Sequence, residues 1–332
     1  MLRAPPGAER ERSLSTIGID LGGTNVRGLL LGRGDRQLGM TRMALGLDHD
    51  PAEVVGRVVG LVQGLIASAP TADAVRGVGI GVAGWVRPAD GAVVKAPNLG
   101  WEEVPLRRLL EKELQLPVLP MNDLSAIAYG EWTMGAARGA EDALVVFVGT
   151  GVGSGLILGG RLHEGAGGFA GEIGHIPVVY RGGRLCGCGN RGCLETVAGG
   201  IHLEQRLREG ARRGAFPAVL QLAGGETERI TPGHAELAAQ AGDTEALALW
   251  EEVAAVLGGL LGGLVDLLDP EVLVLGGGVM EAATLRAGVV DHIRDKLLPP
   301  LRRTLRVARP ELGDPAGVVG AALRARRELV GG

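Results

Sequence analysis

Residues 15–37, STIGIDLGGTNVRGLLLGRGDRQ, alternate apolar and polar positions on both sides of Gly22 and Gly23. A period of two broken by a glycine pair predicts strand, tight turn, strand, so the fold opens on a β-hairpin. Residues 51–69 then carry apolar side chains at helical spacing behind Pro51, which suits a first helical turn. Strand character returns in VRGVGIGVAGWV, residues 75–86. In LPVLPMNDLSAIAYGEWTMGAA a short apolar strand meets Asn122 and Asp123, and a helical pattern follows from Leu124. This junction reads as the crossing into a second lobe.

That lobe begins with ALVVFVGTGVGSGLILGGRL, which copies the opening hairpin: apolar strand, Gly/Thr turn, apolar strand. Residues 200–230 are polar and weakly patterned, with AGGETER as a surface turn. Residues 230–270 give two helices stopped by Pro270, and EVLVLGGGVM is a buried strand ending in Gly276, Gly277 and Gly278. The C-terminal segment reads as a helix from Ala316 that finishes in basic residues, favourable at the negative end of the helix dipole.

Helices alternating with strands over 332 residues suggest an α/β protein of two domains. Residues 1–15 form a loose polar tail, 16–121 a small α/β domain, and 122–315 a large α/β domain. The C-terminal helix, about 316–330, is expected to pack back on the small domain. A net charge of −4 and a pI near 5.9 argue against a nucleic-acid partner. The first fifteen residues lack the apolar core of a signal peptide, and the best membrane candidate, residues 256–268, is short and carries Asp266. A cytoplasmic protein without a membrane partner is the expectation. The 58 glycines exceed the usual share of about 7%, without a collagen period, and point to tight turns and close backbone approaches.

Backbone N–H groups in a Gly-rich turn can approach phosphate oxygens where a Cβ would collide, and a neighbouring Thr hydroxyl adds a donor. Neither turn matches the P-loop or the dinucleotide fingerprint, and each leads into a strand, so each also reads as an ordinary hairpin turn. Asn122 and Asp123 suit helix capping, and Asp123 equally suits a base that accepts a hydroxyl proton during phosphoryl transfer. All three cysteines fall within eight residues, behind His175. His175, Cys186, Cys188 and Cys193 could wrap one tetrahedral zinc, with Gly187, Gly189 and Gly192 allowing the tight path; buried or redox-active thiols are the competing reading.

In their order, IGIDLGGTNVRGLLL, MNDLSAIAYGE, VGTGVGSGLIL, GEIGHIPV, CGCGNRGCLETVAGG and PEVLVLGGGV resemble the ROK family of sugar kinases, repressors and open reading frames, from about Thr16 to about Ala325. The resemblance implies a two-lobed actin-like ATPase (ribonuclease H-like) fold with a nucleotide cleft between lobes. It implies ATP phosphates at Gly22, Gly23, Thr24, Thr150 and Gly151, Mg²⁺ near Asp20, and the nucleoside at Gly276, Gly277 and Gly278. It makes Asp123 the catalytic base, and Asn98, Asn122, Asp123, Glu172, His175 and Glu195 the hexose contacts. His175 would also ligate a structural Zn²⁺ in a loop over 175–193. Asn25 stands where many relatives carry Lys, and Ser154 where many carry Gly. A homodimer or homotetramer is implied as well.

The function implied is an ATP-dependent hexokinase acting on the 6-hydroxyl of glucose. N-acetylmannosamine, N-acetylglucosamine, fructose, mannose and allose stay open as acceptors, as does polyphosphate as donor. A sugar-responsive regulator without catalysis is the reading from another class.

Overall fold

The computed structural model describes residues 14–46, 48–70 and 74–330. All but the last two residues of the expected tail, 1–15, lie outside them, and Ser15 already belongs to the first strand. Strands β1 (Ser15–Leu21), β2 (Asn25–Leu31) and β3 (Gln37–Ala44) precede helix α1 (Pro51–Ser68). Then come β4 (Val75–Val82), β5 (Trp85–Val86), β6 (Val93–Ala96), β7 (Trp101–Val104) and α2 (Leu106–Leu114). Strand β8 (Val118–Asn122) runs directly into α3 (Asp123–Thr133), followed by β9 (Ala143–Val148), β10 (Val152–Leu158) and β11 (Arg161–His163). Beyond them lie α4 (Glu195–Ala198), α5 (Gly200–Arg212), α6 (Pro217–Leu222), α7 (Pro232–Gln240) and α8 (Thr244–Leu268). Strand β12 (Val272–Gly276), α9 (Ala283–Lys296), α10 (Leu301–Thr304), β13 (Arg306–Ala308) and α11 (Ala316–Ala325) complete the chain.

Two compact units result. The first gathers Met1–Glu141, Gly155–Ala170 and Pro310–Gly332; the second gathers Asp142–Ser154 and Gly171–Arg309.

The first unit is built on a mixed sheet in the order β3-β2-β1-β4-β8, with β1, β4 and β8 parallel and β2 and β3 antiparallel. Alternation along β1 sends Ile17, Ile19 and Leu21 into one core with Val54, Val58 and Val62 of α1 and Leu106 and Leu110 of α2. The opposite face is covered by α11, every residue of which is buried. Leu29 and Leu31 of β2 pack there with Val318, Val319 and Ala322. Close approach is possible because the sheet presents glycine: a Cβ on Gly79 would stand 2.0 Å from the Ala321 carbonyl oxygen. Glu131, fully buried on α3, accepts from the backbone N–H of Ala136, Glu311 and Leu312 at 2.8, 3.0 and 2.9 Å, so its charge is met by three donors. Strands β5, β6 and β7 form a small separate antiparallel sheet.

The other five-stranded sheet has the order β11-β10-β9-β12-β13, and the division between units falls within β10. In the second unit β9, β12 and β13 run parallel. Asp243 caps α8 through Ala246 N at 2.8 Å, and the helix ends before Pro270 as its sequence predicts. The apolar stretch at 256–268 is the end of this 25-residue helix, and half of its most apolar window is buried in the fold. Helix α1 is also long and apolar enough to cross a membrane by length and composition, with a third of its window buried. Residues 200–230, read from sequence as weakly patterned, hold α5 and α6. Leu203, Leu207, Gly210 and Ala211 form a narrow buried stripe on α5, while Glu204, Arg206, Arg208, Glu209 and Arg212 make most of the rest of that helix charged.

Candidate active site

In the first unit the relevant side chains collect at the carboxyl ends of parallel strands, where open α/β sheets bind ligands. Register aligns Leu21 with Val82 and Val82 with Asn122, so the turn after β1, residues 83–84 after β4 and Asp123 after β8 share one edge. The Gly22 N–H donates to Asn25 O at 3.1 Å and closes the turn, so that amide is already committed. Gly23 and Thr24 have no backbone acceptor for their N–H groups among the described residues. Gly23 is needed for a further reason: a Cβ there would meet Asn98 Cβ at 2.8 Å and Asn98 O at 2.9 Å. The exposed Asn98, on a helical turn at Pro97–Leu99, is thereby held against the Gly23 backbone.

Asn122 caps α3. Its Oδ1 accepts from Leu124 N at 2.9 Å and Ser125 N at 3.1 Å, and its Nδ2 donates to Gly84 O at 3.0 Å. One N–H of the amide remains to meet a ligand. Asp123 Oδ1 accepts from Leu124 N at 2.9 Å, which leaves the carboxylate at the positive end of the helix. Asp20 lies on the α11 side of β1, opposite Arg27 in register. Burial raises its pKa above the ordinary carboxylate value, Arg27 works to lower it, and Asp314 pushes it up again. A buried carboxylate in that state is a natural partner for a cation.

The second unit repeats the scheme. The carboxyl ends of β9 and β12 are neighbours, Phe147 pairing with Gly276, so Thr150, Gly151 and Gly276–Gly278 gather at one edge. Gly149 N–H donates to Gly151 O at 2.9 Å, while Thr150 and Gly151 have no backbone acceptor among the described residues. Gly277 has φ +95° and would place a Cβ 2.4 Å from Val148 O; Gly278 faces open space. Glu195, opening α4, accepts from Val152 N at 3.1 Å, and a Cβ on Gly151 would lie 2.2 Å from the same carboxylate oxygen. The turn glycine and the carboxylate are therefore fitted to each other.

The cysteine loop is zipped by backbone hydrogen bonds, among them Cys186 N to Asn190 O at 2.8 Å and Leu194 N to Ile176 O at 2.9 Å. Gly189 and Gly192 have φ +93° and +74°, as a tight path requires, whereas Gly187 faces open space and is not needed for it. The donor atoms of His175, Cys186, Cys188 and Cys193 all lie within 4.8 Å of one another. A tetrahedral zinc with ordinary bond lengths separates two thiolates by roughly 3.8 Å and thiolate from imidazole nitrogen by roughly 3.5 Å. Cys188 Sγ and Cys193 Sγ are 3.8 Å apart, and Cys186 Sγ is 3.5 Å from His175 Nδ1. The donor set fits, with the widest pair needing to contract by up to about 1 Å. Burial pushes the Cys186 thiol up to about 12 and raises Cys193 as well. For Cys188 burial acts in the same sense, but hydrogen bonds from the Asn190 backbone and the other two thiols prevail and lower it. His175 turns Nε2 the other way, 3.7 Å from Glu172 Oε2.

Three supports escaped the sequence reading. Gly84 offers only its carbonyl to Asn122 and carries no side-chain signal. Ser154, noted only as a departure from relatives, donates to Gly171 O at 2.8 Å and steadies the backbone beside Glu172. Arg42 on β3 donates from Nε to Asn25 Oδ1 at 3.2 Å.

Fold and motifs together define an α/β protein with mixed sheets of the sugar-kinase type, and the chain belongs to the ROK family, whose model matches residues 16–328. It is 33% identical to the glucokinase of Halalkalibacterium halodurans over 306 residues, 92% of each chain. It also resembles the crystal structure of a ROK family glucokinase from Streptomyces griseus in complex with glucose and AMPPNP, at TM-score 0.76 and 34% identity, covering 94% of this chain and 99% of that one. The ROK hexokinase of Thermus thermophilus aligns with TM-score 0.82 and 31% identity over 96% of this chain and all of that one.

Proposed function

We propose that the protein is an ATP-dependent glucokinase, transferring the terminal phosphoryl group to the 6-hydroxyl of glucose. The observation that carries the chemistry is Asp123 at a helix N-terminus, on the same strand edge as the turn with free Gly23 and Thr24 amides. Membership of the ROK family and likeness to glucokinases over most of the chain support the substrate. In this reading Asp123 accepts the proton of the attacking hydroxyl, and its helix N-terminus keeps it an anion until then. Asn122 offers its remaining N–H, and Asn98 its side chain, to neighbouring hydroxyls. Gly23, Thr24, Thr150 and Gly151 donate to phosphate oxygens, with Gly22 closing its turn, and Gly276–Gly278 lie along the nucleoside. Mg²⁺ near Asp20 would supply positive charge against the phosphates.

Zinc in the cysteine loop would be structural, since the four protein ligands leave no position for water. His175 would ligate through Nδ1 and present Nε2, together with Glu172, to the sugar; Glu195, held by the Val152 amide on one oxygen, would use the other. Carboxylates that accept from adjacent hydroxyls discriminate strongly against sugars lacking them. The test is a coupled ADP-release assay with ATP and, in parallel, polyphosphate, across glucose, mannose, fructose, allose and the two N-acetylated hexosamines. Glucose with ATP is expected to give the highest kcat/KM; a higher value for another acceptor would refute the assignment.

A further inference from the structure

The turn between β1 and β2 is wired to the edge strand. Asn25, first residue of β2, donates from Nδ2 to the Thr24 hydroxyl oxygen at 2.9 Å and accepts at Oδ1 from Arg42 Nε at 3.2 Å. Arg42 lies on β3, two residues from Ala44, the register partner of Asn25, which makes the pair diagonal neighbours across the ladder. An arginine side chain has only donors, so the atom of Asn25 that faces it has to be the oxygen. The amide orientation follows: the NH₂ must face Thr24. An oxygen that receives this hydrogen bond does not direct its own proton back along it, so the Thr24 proton points away from Asn25. Thr24 is exposed and its backbone N–H has no backbone acceptor among the described residues. Both donors are then available to one incoming anion.

We propose that Arg42 and Asn25 are positioning residues for phosphoryl-donor binding: through a one-way chain of donors they hold the Thr24 hydroxyl as a donor toward the terminal phosphate. The inference rests on the phosphate reading of the turn. Arg42 itself need not touch the nucleotide. It is exposed on the edge strand of the sheet, so its truncation is compatible with folding.

The experiment is a double-mutant cycle in the full chain, with KM for ATP, KM for glucose and melting temperature measured for wild type, Arg42→Met, Thr24→Val and the double variant. Arg42→Met is expected to raise KM for ATP several-fold and to leave KM for glucose within about twofold. Thr24→Val is expected to raise it about tenfold, as loss of a hydrogen bond to a charged group does. In the Thr24→Val background, removing Arg42 should add nothing. A full additional effect in that background would show a direct contact or a general charge effect and overturn the inference. An unchanged KM for ATP in Arg42→Met, with Thr24→Val impaired, would overturn it too while sparing the phosphate reading. If Thr24→Val itself binds ATP normally, that reading fails and the inference with it. Asn25→Asp gives an independent arm: an acceptor-only carboxylate keeps Arg42 paired but draws the Thr24 proton to itself, so KM for ATP should rise although the shape is preserved.

Discussion

Asp123 has two uses for one position. Its Oδ1 shares the Leu124 amide of α3 with Asn122, and that tie orients the carboxylate for a proton it would receive from a hydroxyl. Asp123→Ala is expected to lower kcat by about 10²–10⁴-fold while glucose binding by calorimetry stays measurable, because the other proposed sugar contacts are untouched. A near-normal kcat would refute the base. Asp20 differs in that burial raises its pKa, so folding favours its protonated form. This contribution is complete below the unfolded-state pKa and is lost as pH climbs through the higher folded value. Asp20→Asn carries no charge at any pH, so in Mg²⁺-free buffer it should melt a few degrees above wild type at pH 7, and the gap should close toward acid. Activity should nonetheless fall about 100-fold, as when one charge-stabilising group is removed. A melting gap independent of pH would contradict the burial argument.

Among the elements, those legible in the sequence are the ones whose pattern is local. The strand–turn–strand units at 15–31 and 143–158 show because glycines interrupt alternating positions in the first and continuous apolar runs in the second, and α8 shows because its apolar spacing ends at a proline. The two- to four-residue strands β5, β6 and β7 are too short to display alternation, and α5 hides four small or apolar positions among charges. The candidate site divides in the same way. Asn122 and Asp123 announce themselves as a cap, and the cysteines as a cluster. The Gly23 contact with Asn98 and the Arg42 bond to Asn25 depend on chain segments brought together by folding, so no local pattern could carry them. The cysteine loop has little apolar core and is ordered by backbone hydrogen bonds and, in the proposed reading, by zinc, whose binding in small zinc peptides is worth roughly 10–16 kcal/mol. Chelation under reducing conditions should remove one zinc per chain, lower the melting temperature and weaken glucose binding more than tenfold. Chelated protein that binds glucose as well as before would separate the loop from sugar recognition.

At the scale of the whole molecule, the first strand and the last helix meet inside one unit. The Thr16 hydroxyl on β1 donates to Ala322 O on α11 at 2.9 Å, and the unit is assembled from three segments of which the last begins at Pro310. Helix α3 covers part of one face of its sheet through Ala126 and Tyr129, but the rest of that face stays open until α11 is made, and contacts of such sequence separation form late and slowly. The tolerance for error is small, because the helix backbone lies directly on glycines of β1 and β4. Gly79→Ala would drive a Cβ into the Ala321 carbonyl, and such overpacking costs about 1–3 kcal/mol or more. At about 2–4 °C per kcal/mol, a fall of roughly 2–12 °C in melting temperature is expected. Removing residues 314–332 is a harsher version of the same change. It strips the sheet face bearing Leu29 and Leu31 and leaves the Glu131 carboxylate without the helix that anchors its partner segment. The truncated chain should lose glucose phosphorylation and bind a hydrophobic dye, while fragments derived from residues 171–309 stay protected from protease. If it instead melts with the same midpoint as the full chain, α11 is an appendage and the account of how the first unit closes is wrong.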